Sequence, residues 1–421
     1  MNAAIEHARN IALDLLKPSA SQLEHGLELH SQVLVAESYG LGLHAPVVPE
    51  ELNALVDANA SSVELRDLSE EHGMLGWLRT AELRREYREA WEASGVSCIF
   101  INAGEEGNQP TRLLKRLARY VHLTDAMPDF LARAHDVDAI EAAFKAGKRT
   151  LYLTGNGIPL TGEQQTPEEE LALVRVFAQL GVRMMHLTYN RRNPMGDGCG
   201  ETTDGGLSDF GQAAIREMNR CGVIVDLAHT GWQTCLDAAR ASRQPVVVSH
   251  SVADAVNHHI RAKPDEVIRA VIETGGTIGV TNVPAFLGGS GDITAFLDHI
   301  DYLVKTFGAD AVTIGTDRSY RSHACSAEAE KLRYRIKARM RWEALWPAKD
   351  PILHEQLWSQ PRQVESLAWT NWPLFTVGMV QRGHSDETIA KVIGGNILRV
   401  ARAVGSASTH GNVASASSSA V

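Results

Sequence analysis

The sequence predicts an α/β fold and, within that class, a single (β/α)8 barrel of the TIM type. Three observations lead there. Eight short apolar runs, rich in β-branched residues, recur along the chain. Each is followed by a loop and then by a stretch with helix signals. The runs do not alternate strictly between apolar and polar residues, the pattern of strands buried on both faces in a parallel sheet. A doubly wound open sheet is the alternative, but eight strand–helix repeats in order suit closure into a barrel. The length of 421 residues is compatible with one such domain.

In chain order the runs are 33–37 (VLVAE), 97–102 (SCIFIN), 150–154 (TLYLT), 182–188 (VRMMHLT), 223–227 (VIVDL), 246–250 (VVVSH), 277–282 (TIGVTN) and 311–316 (AVTIGT). Before the first lies MNAAIEHARNIALDLLKPSASQ, where Glu6, His7, Arg9 and Asp14 interrupt the apolar residues. That reads as an amphipathic helix, not as a signal peptide. Helical stretches holding 65–91 and 111–147 separate the first three strands. Thr166-Pro167-Glu168-Glu169-Glu170 places a cap, a proline and three acids at a helix start. Ser208 precedes FGQAAIREMNR, and Asp265-Glu266 opens a run that stops at Gly275-Gly276. After strand eight comes an insertion with Trp342, Trp346, Trp358, Trp369 and Trp372, suited to covering a barrel end or a dimer interface. A closing helix, IAKVIGGNILRVARAV, completes a domain spanning 1–403, and the Ser/Ala-rich stretch 404–421 is expected to be disordered.

The net charge of −10 argues against a nucleic-acid partner, which calls for a basic footprint. No apolar run approaches the ~20 residues that span a bilayer. Cys98, Cys199, Cys221, Cys235 and Cys325 form no metal or disulfide spacing, which fits a reducing, cytoplasmic setting.

Barrel enzymes carry their chemistry on the carboxyl ends of the strands. Here strand five ends in Asp226-Leu227-Ala228-His229, strand six in Ser249-His250-Ser251 and strand eight in Gly315-Thr316-Asp317. Two imidazoles and a carboxylate on these strands can hold one divalent metal, usually zinc, with a position open for water. His186 is expected to face the packed interior within strand four. Glu37 is either a site acid or a buried structural one. Just past strand two, the glycine-bracketed Glu105-Glu106 reads either as a site loop or as a solvated turn.

At these residues the chain resembles the membrane (renal) dipeptidase family of zinc peptidases, barrels of the amidohydrolase-like group. The likeness runs from about 181 to 399 and rests on GLSDFGQAAIREMNRCGVIVDLAH, VVVSHS, HHIRAKPDEVI, GADAVTIGTD and GGNILRV. It implies that His229 and His250 are ligands of one of the family's two zinc ions. It implies further that Asp317 handles the attacking water and that Arg261 holds a substrate carboxylate.

The pattern also departs from the family. Where the family has a His-x-Asp pair after strand one, this chain has Tyr39 and Leu41. Where it has a bridging glutamate after strand three, Asn156 stands, and Tyr189 replaces a strand-four histidine of the animal enzymes. Without those carboxylates two cations would repel one another, so one metal on His229, His250 and Asp317 is expected. The remaining site candidates are Tyr39, Asn156 and Glu105 for catalysis, with Tyr189 and Asn282 beside Arg261 for substrate. The expected activity is hydrolysis of an amide in a small carboxylated molecule by a homodimer. A lyase, decarboxylase or isomerase on the same scaffold is the first alternative. A non-catalytic subunit is the second.

Overall fold

The computed structural model describes residues 2–104, 109–162, 166–334 and 342–414. Eight parallel strands pair in sequence order: β1 (Ala36–Gly40), β2 (Cys98–Asn102), β3 (Arg149–Gly155), β4 (Met184–His186), β5 (Ile224–Asp226), β6 (Val246–Ala253), β7 (Thr277–Val280) and β8 (Val312–Ile314). The predicted barrel is present, nearly closed. Two apolar layers hold it. Ala36, Cys98, Phe100, Tyr152, Met184, Ile224 and Val247 fill the inside at the strand starts. Ile397, Val400 and Val404 of the final helix plug that end. Alternate residues such as Ile99, Leu151, Leu153, Val225 and Val248 face outward into a second core beneath the helices. Gly279 and Gly315 bring β6 inward. A Cβ at either would lie 2.0 or 2.1 Å from the Ser249 carbonyl oxygen.

The seam between β1 and β8 is built differently from the other strand pairs. Among the described residues, backbone bonds cross it only at the carboxyl ends, from Asp317 N–H to Tyr39 O (3.2 Å) and from Leu41 N–H to Arg318 O (3.0 Å). Further on, Ser319–Arg321 pairs in parallel with Gly42–His44. Lower down, side chains do the joining. The Thr313 hydroxyl donates to Ser38 Oγ (3.2 Å), and the Thr316 hydroxyl donates to Glu37. Asn396 Nδ2 donates to the Val312 carbonyl (2.8 Å), an acceptor of the last strand.

Several expectations are corrected. The stretch 111–147 is not one helix: it forms Pro110–Ala126, a strand Leu131–Ala134 and a second helix Val137–Lys145. Pro128 prevents the first helix from continuing. The short strand then pairs with the first half of β3. The first barrel strand begins at Ala36, three residues later than read, and reaches Gly40. The final helix spans Asn396–Ala414. Trp369 and Trp372 are buried in the chain's own core. Among the described residues no helix is long and apolar enough to cross a membrane.

Candidate metal centre

Inside the barrel, two residues above Met184 and Ile224, the inward positions of β4 and β5 are His186 and Asp226. His186 Nε2 lies 3.0 Å from Asp226 Oδ2, and both residues are fully buried. Asp226 Oδ1 accepts the N–H groups of Ser249 (3.0 Å) and Ala228 (3.1 Å). Burial alone would raise the Asp226 pKa. The His186 charge and the bonds from Ser249 outweigh it, and the carboxylate sits below its ordinary range. The pair fixes the backbone from which both candidate ligands project.

His229 follows three residues after β5, on a turn held by Thr230 N–H to Leu227 O (3.1 Å). His250 stands within β6. Their Nε2 atoms face each other at 3.0 Å. On the far sides, His229 Nδ1 meets Asn190 Oδ1 at 2.7 Å and His250 Nδ1 meets Ser249 Oγ at 2.8 Å. Asn190 Oδ1 can only accept, so Nδ1 of His229 carries the proton and Nε2 presents a lone pair. Burial, then the Arg261 guanidinium and the neighbouring imidazoles, hold both histidines well below their usual pKa. They are neutral, as metal ligands must be.

Each of these two rings is also covered by a tyrosine. Tyr189 stacks on His229 with centroids 3.8 Å apart, and Tyr39 stacks on His250 at 3.9 Å. The Tyr39 hydroxyl donates to Asn156 Oδ1, and both residues are buried. These are the two positions where the family resemblance implies ligands of a second metal. Here they meet in a neutral hydrogen bond. Tyr39 and Asn156, put forward as catalytic, are bonded to one another beside the His250 ring.

Arg261 is buried, with Nη2 donating to His250 O (2.9 Å) and Nε to Ala228 O (3.3 Å). Its guanidinium lies 5.3 Å from the Phe286 ring centroid. A short parallel pairing, Ala262–Lys263 with Val252–Ala253, brings it there. Asn282, just past β7, is fully buried, and among the described residues neither Oδ1 nor Nδ2 has a hydrogen-bond partner. Such an orphaned amide calls for an outside ligand. Asp317 is half-buried in the left-handed backbone region (φ +54°). Glu105 and Glu106 lie outside the described residues.

Among the described residues, one group of three possible metal ligands has all its donor atoms within 4.8 Å of one another: His186, His229 and His250. Asp317, expected as the third ligand, is not in it. His186 Nδ1 lies 3.3 Å from Gly155 O and its Nε2 faces the Asp226 carboxylate, whereas the Nε2 atoms of His229 and His250 face each other. The facing pair His229–His250 therefore fits a metal best. Their Nε2 separation is near that of two ligands at ~2.0–2.1 Å from one ion. Among the described residues, the Tyr39–Asn156 pair is neutral and offers no carboxylate to a second metal. The sequence reading missed the roles of His186, Asn190 and Ser249.

Comparison with known proteins bears on this centre. Residues 59–328 match the sequence model of the family described as membrane dipeptidase, peptidase family M19. Among solved structures, the chain is similar to an amidohydrolase from Pseudomonas aeruginosa, with 23% identity and a TM-score of 0.65 over 90% of this chain and 99% of that one. A probable dipeptidase of the same organism shares 18% identity, TM-score 0.62, over 92% and 100%. A metallopeptidase from Rhodobacter sphaeroides, solved with a phosphinate mimic of the dipeptide L-Ala-D-Ala, shares 16% identity, TM-score 0.60, over 88% and 99%. At these identities the structural likeness establishes the fold.

Proposed function

The chain belongs to the membrane dipeptidase family of metal-dependent hydrolases, and from that premise we propose that it cleaves an amide or peptide bond in a small carboxylated substrate using one divalent metal, zinc by family precedent. The observation that carries this reading is the facing pair of neutral, oriented imidazole nitrogens, His229 Nε2 and His250 Nε2, 3.0 Å apart. When bound there, a divalent metal supplies Lewis acidity toward a carbonyl and acidifies water.

The chain's own groups supply the rest. Arg261 uses Nε and Nη2 on backbone carbonyls; among the described residues Nη1 has no hydrogen-bond partner and is the donor left for a substrate carboxylate. Asn282 offers one donor and one acceptor to the substrate's own amide. Asp317 is the group assigned to move a proton from water to the leaving amine. Tyr39 and Tyr189 present ring faces to the imidazoles and keep bulk water from them. The cysteines are all free, in keeping with the cytoplasmic setting that this reading assumes.

The test is metal analysis beside turnover of a dipeptide library. One equivalent of metal is expected in the wild type. His229→Ala and His250→Ala should each lose it, with a fall in kcat/KM of ~1,000-fold or more. Full turnover by metal-free protein would refute the reading.

A further inference from the structure

Beside the barrel mouth, on the side of β1 and β2, lies a cavity of about 770 Å³. Its size suits a small-molecule site. Leu41 and Asn102, at the ends of those strands, line its inner wall. Asn102 is two residues before Gly104, whose backbone packs against that of Asn156. The cavity thus opens from the same end of the barrel as the histidine pair. Its other walls come from the helices Ser62–Leu75 and Pro110–Ala126 and from the strand Ser319–Arg321.

The charge of this cavity is opposite to that of the molecule. Arg66, Arg112, Arg116 and Arg321 line it, against Glu70 and Glu330, in a protein of net charge −10. Glu70 is shared. It accepts from Arg112, lies 3.5 Å from Arg119 and lies 4.0 Å from Arg116. Among the described residues, Arg66 and Arg321 have no ion-pair partner. Among those residues Arg116 Nε, which is buried, has no acceptor either, while its Nη2 is held by the Asn102 carbonyl (3.2 Å). The cationic field reaches a neighbour on the same wall. His44 is pushed down to about 4, first by burial and then by Arg116 and Arg321. Among the described residues, four guanidiniums against two carboxylates around a half-open cavity form a receptor for an anion.

We propose that this cavity is an anion subsite of the substrate pocket, taking a carboxylate or phosphate that the substrate carries away from the bond that reacts. The inference rests on the hydrolase reading above and adds to it a substrate class: acidic small molecules with a second anionic group, beyond the carboxylate assigned to Arg261. Arg66 and Arg321 then act as specificity determinants.

Calorimetric titration of the full chain with succinate, inorganic phosphate and acetate tests this directly. Saturable binding of succinate or phosphate is expected, with acetate much weaker. The tighter of the two distinguishes a carboxylate from a phosphoryl group. Arg66→Gln/Arg321→Gln should weaken binding by ~10-fold or more, while Arg66→Lys/Arg321→Lys retains most of it. His229→Ala should bind the anion as the wild type does. Arg66 is half-buried and Arg321 exposed, so neither change strands a buried charge. Absence of saturable binding, equal binding in the glutamine variant, or loss of binding in His229→Ala would each overturn the subsite. In turnover, the glutamine variant should raise KM for an acidic dipeptide ~10-fold with kcat little changed, and leave a neutral dipeptide unaffected. The two readings separate cleanly. Neutral dipeptides cleaved without anion binding would leave the hydrolase and remove the subsite; anion binding without hydrolysis would do the reverse.

Discussion

Asn190 Oδ1, 2.7 Å from His229 Nδ1, decides which nitrogen of that ring is free to bind. Its backbone is also left-handed (φ +57°), a conformation that asparagine tolerates better than most residues. These two roles can be separated. Asn190→Ala should lower metal affinity ~10–100-fold and cost ~1–2 kcal/mol of stability. Asn190→Gly should restore the stability but not the affinity; chelator titration and thermal denaturation read the two effects. The Tyr39–Asn156 bond gives a second expectation. Tyr39→His/Leu41→Asp/Asn156→Glu returns a ligand set for a second ion, and bound metal should rise from one equivalent towards two by elemental analysis. At this scale the sequence revealed His229 and His250, because each sits at the end of an apolar run. It did not reveal that Tyr39 bonds Asn156, since those residues are 117 positions apart and only folding brings them together. His186 was placed in the interior, yet its pairing with Asp226 needed the strand register His186↔Asp226.

The insertion after β8 shows what a loop element adds. Arg191, next to Asn190, donates to the carbonyls of Ala344 (2.9 Å) and Trp346 (3.0 Å). Asp350 Oδ1 lies 3.3 Å from His259 Nε2, and His259 Nδ1 accepts the Arg261 N–H (3.0 Å). Trp346 packs on Phe286, the ring beneath the Arg261 guanidinium. One insertion therefore braces both Asn190 and Arg261, the arginine proposed to hold the substrate carboxylate. Asp350→Ala should raise KM for carboxylated substrates ~10-fold with a smaller change in kcat, and Asp350→Asn should recover part of the loss. Steady-state kinetics distinguish this from a general loss of fold. The tryptophans marked this element in the sequence as a cover. Which residues it covers was not legible, because the contacts join loops with no periodicity of their own. The strand Leu131–Ala134 was hidden for a related reason: four residues leave too short a pattern to separate from the helices on either side.

Across the whole molecule the barrel and its direction were legible, since eight apolar runs and their spacing survive every local irregularity. How the ring closes was not. Glu37 sits at that closure, accepting from Thr316 and, at 2.8 Å, from Trp369 Nε1. Burial pushes its pKa up to about 8, and the Asp317 charge adds to this, while the hydrogen bonds from Thr316 and Trp369 pull the other way. The folded chain therefore holds a proton that the unfolded chain releases near 4.5. Its contribution to stability is complete below that pH and is lost as pH rises through about 8. Relative to Glu37→Gln, the wild type should lose ~1.4 kcal/mol per pH unit across that window, measured by denaturant unfolding at a series of pH values.

The side-chain seam has a consequence for how the protein fails. A continuous barrel has no edge strands, but β1 and β8 share no ladder of their own, so parting them exposes two parallel edges while the inner core is still assembled. Such edges are templates for pairing with another chain. Loss of the Glu37 proton in alkaline solution thus favours aggregation before full unfolding, and storage life becomes a matter of protein concentration as much as of temperature.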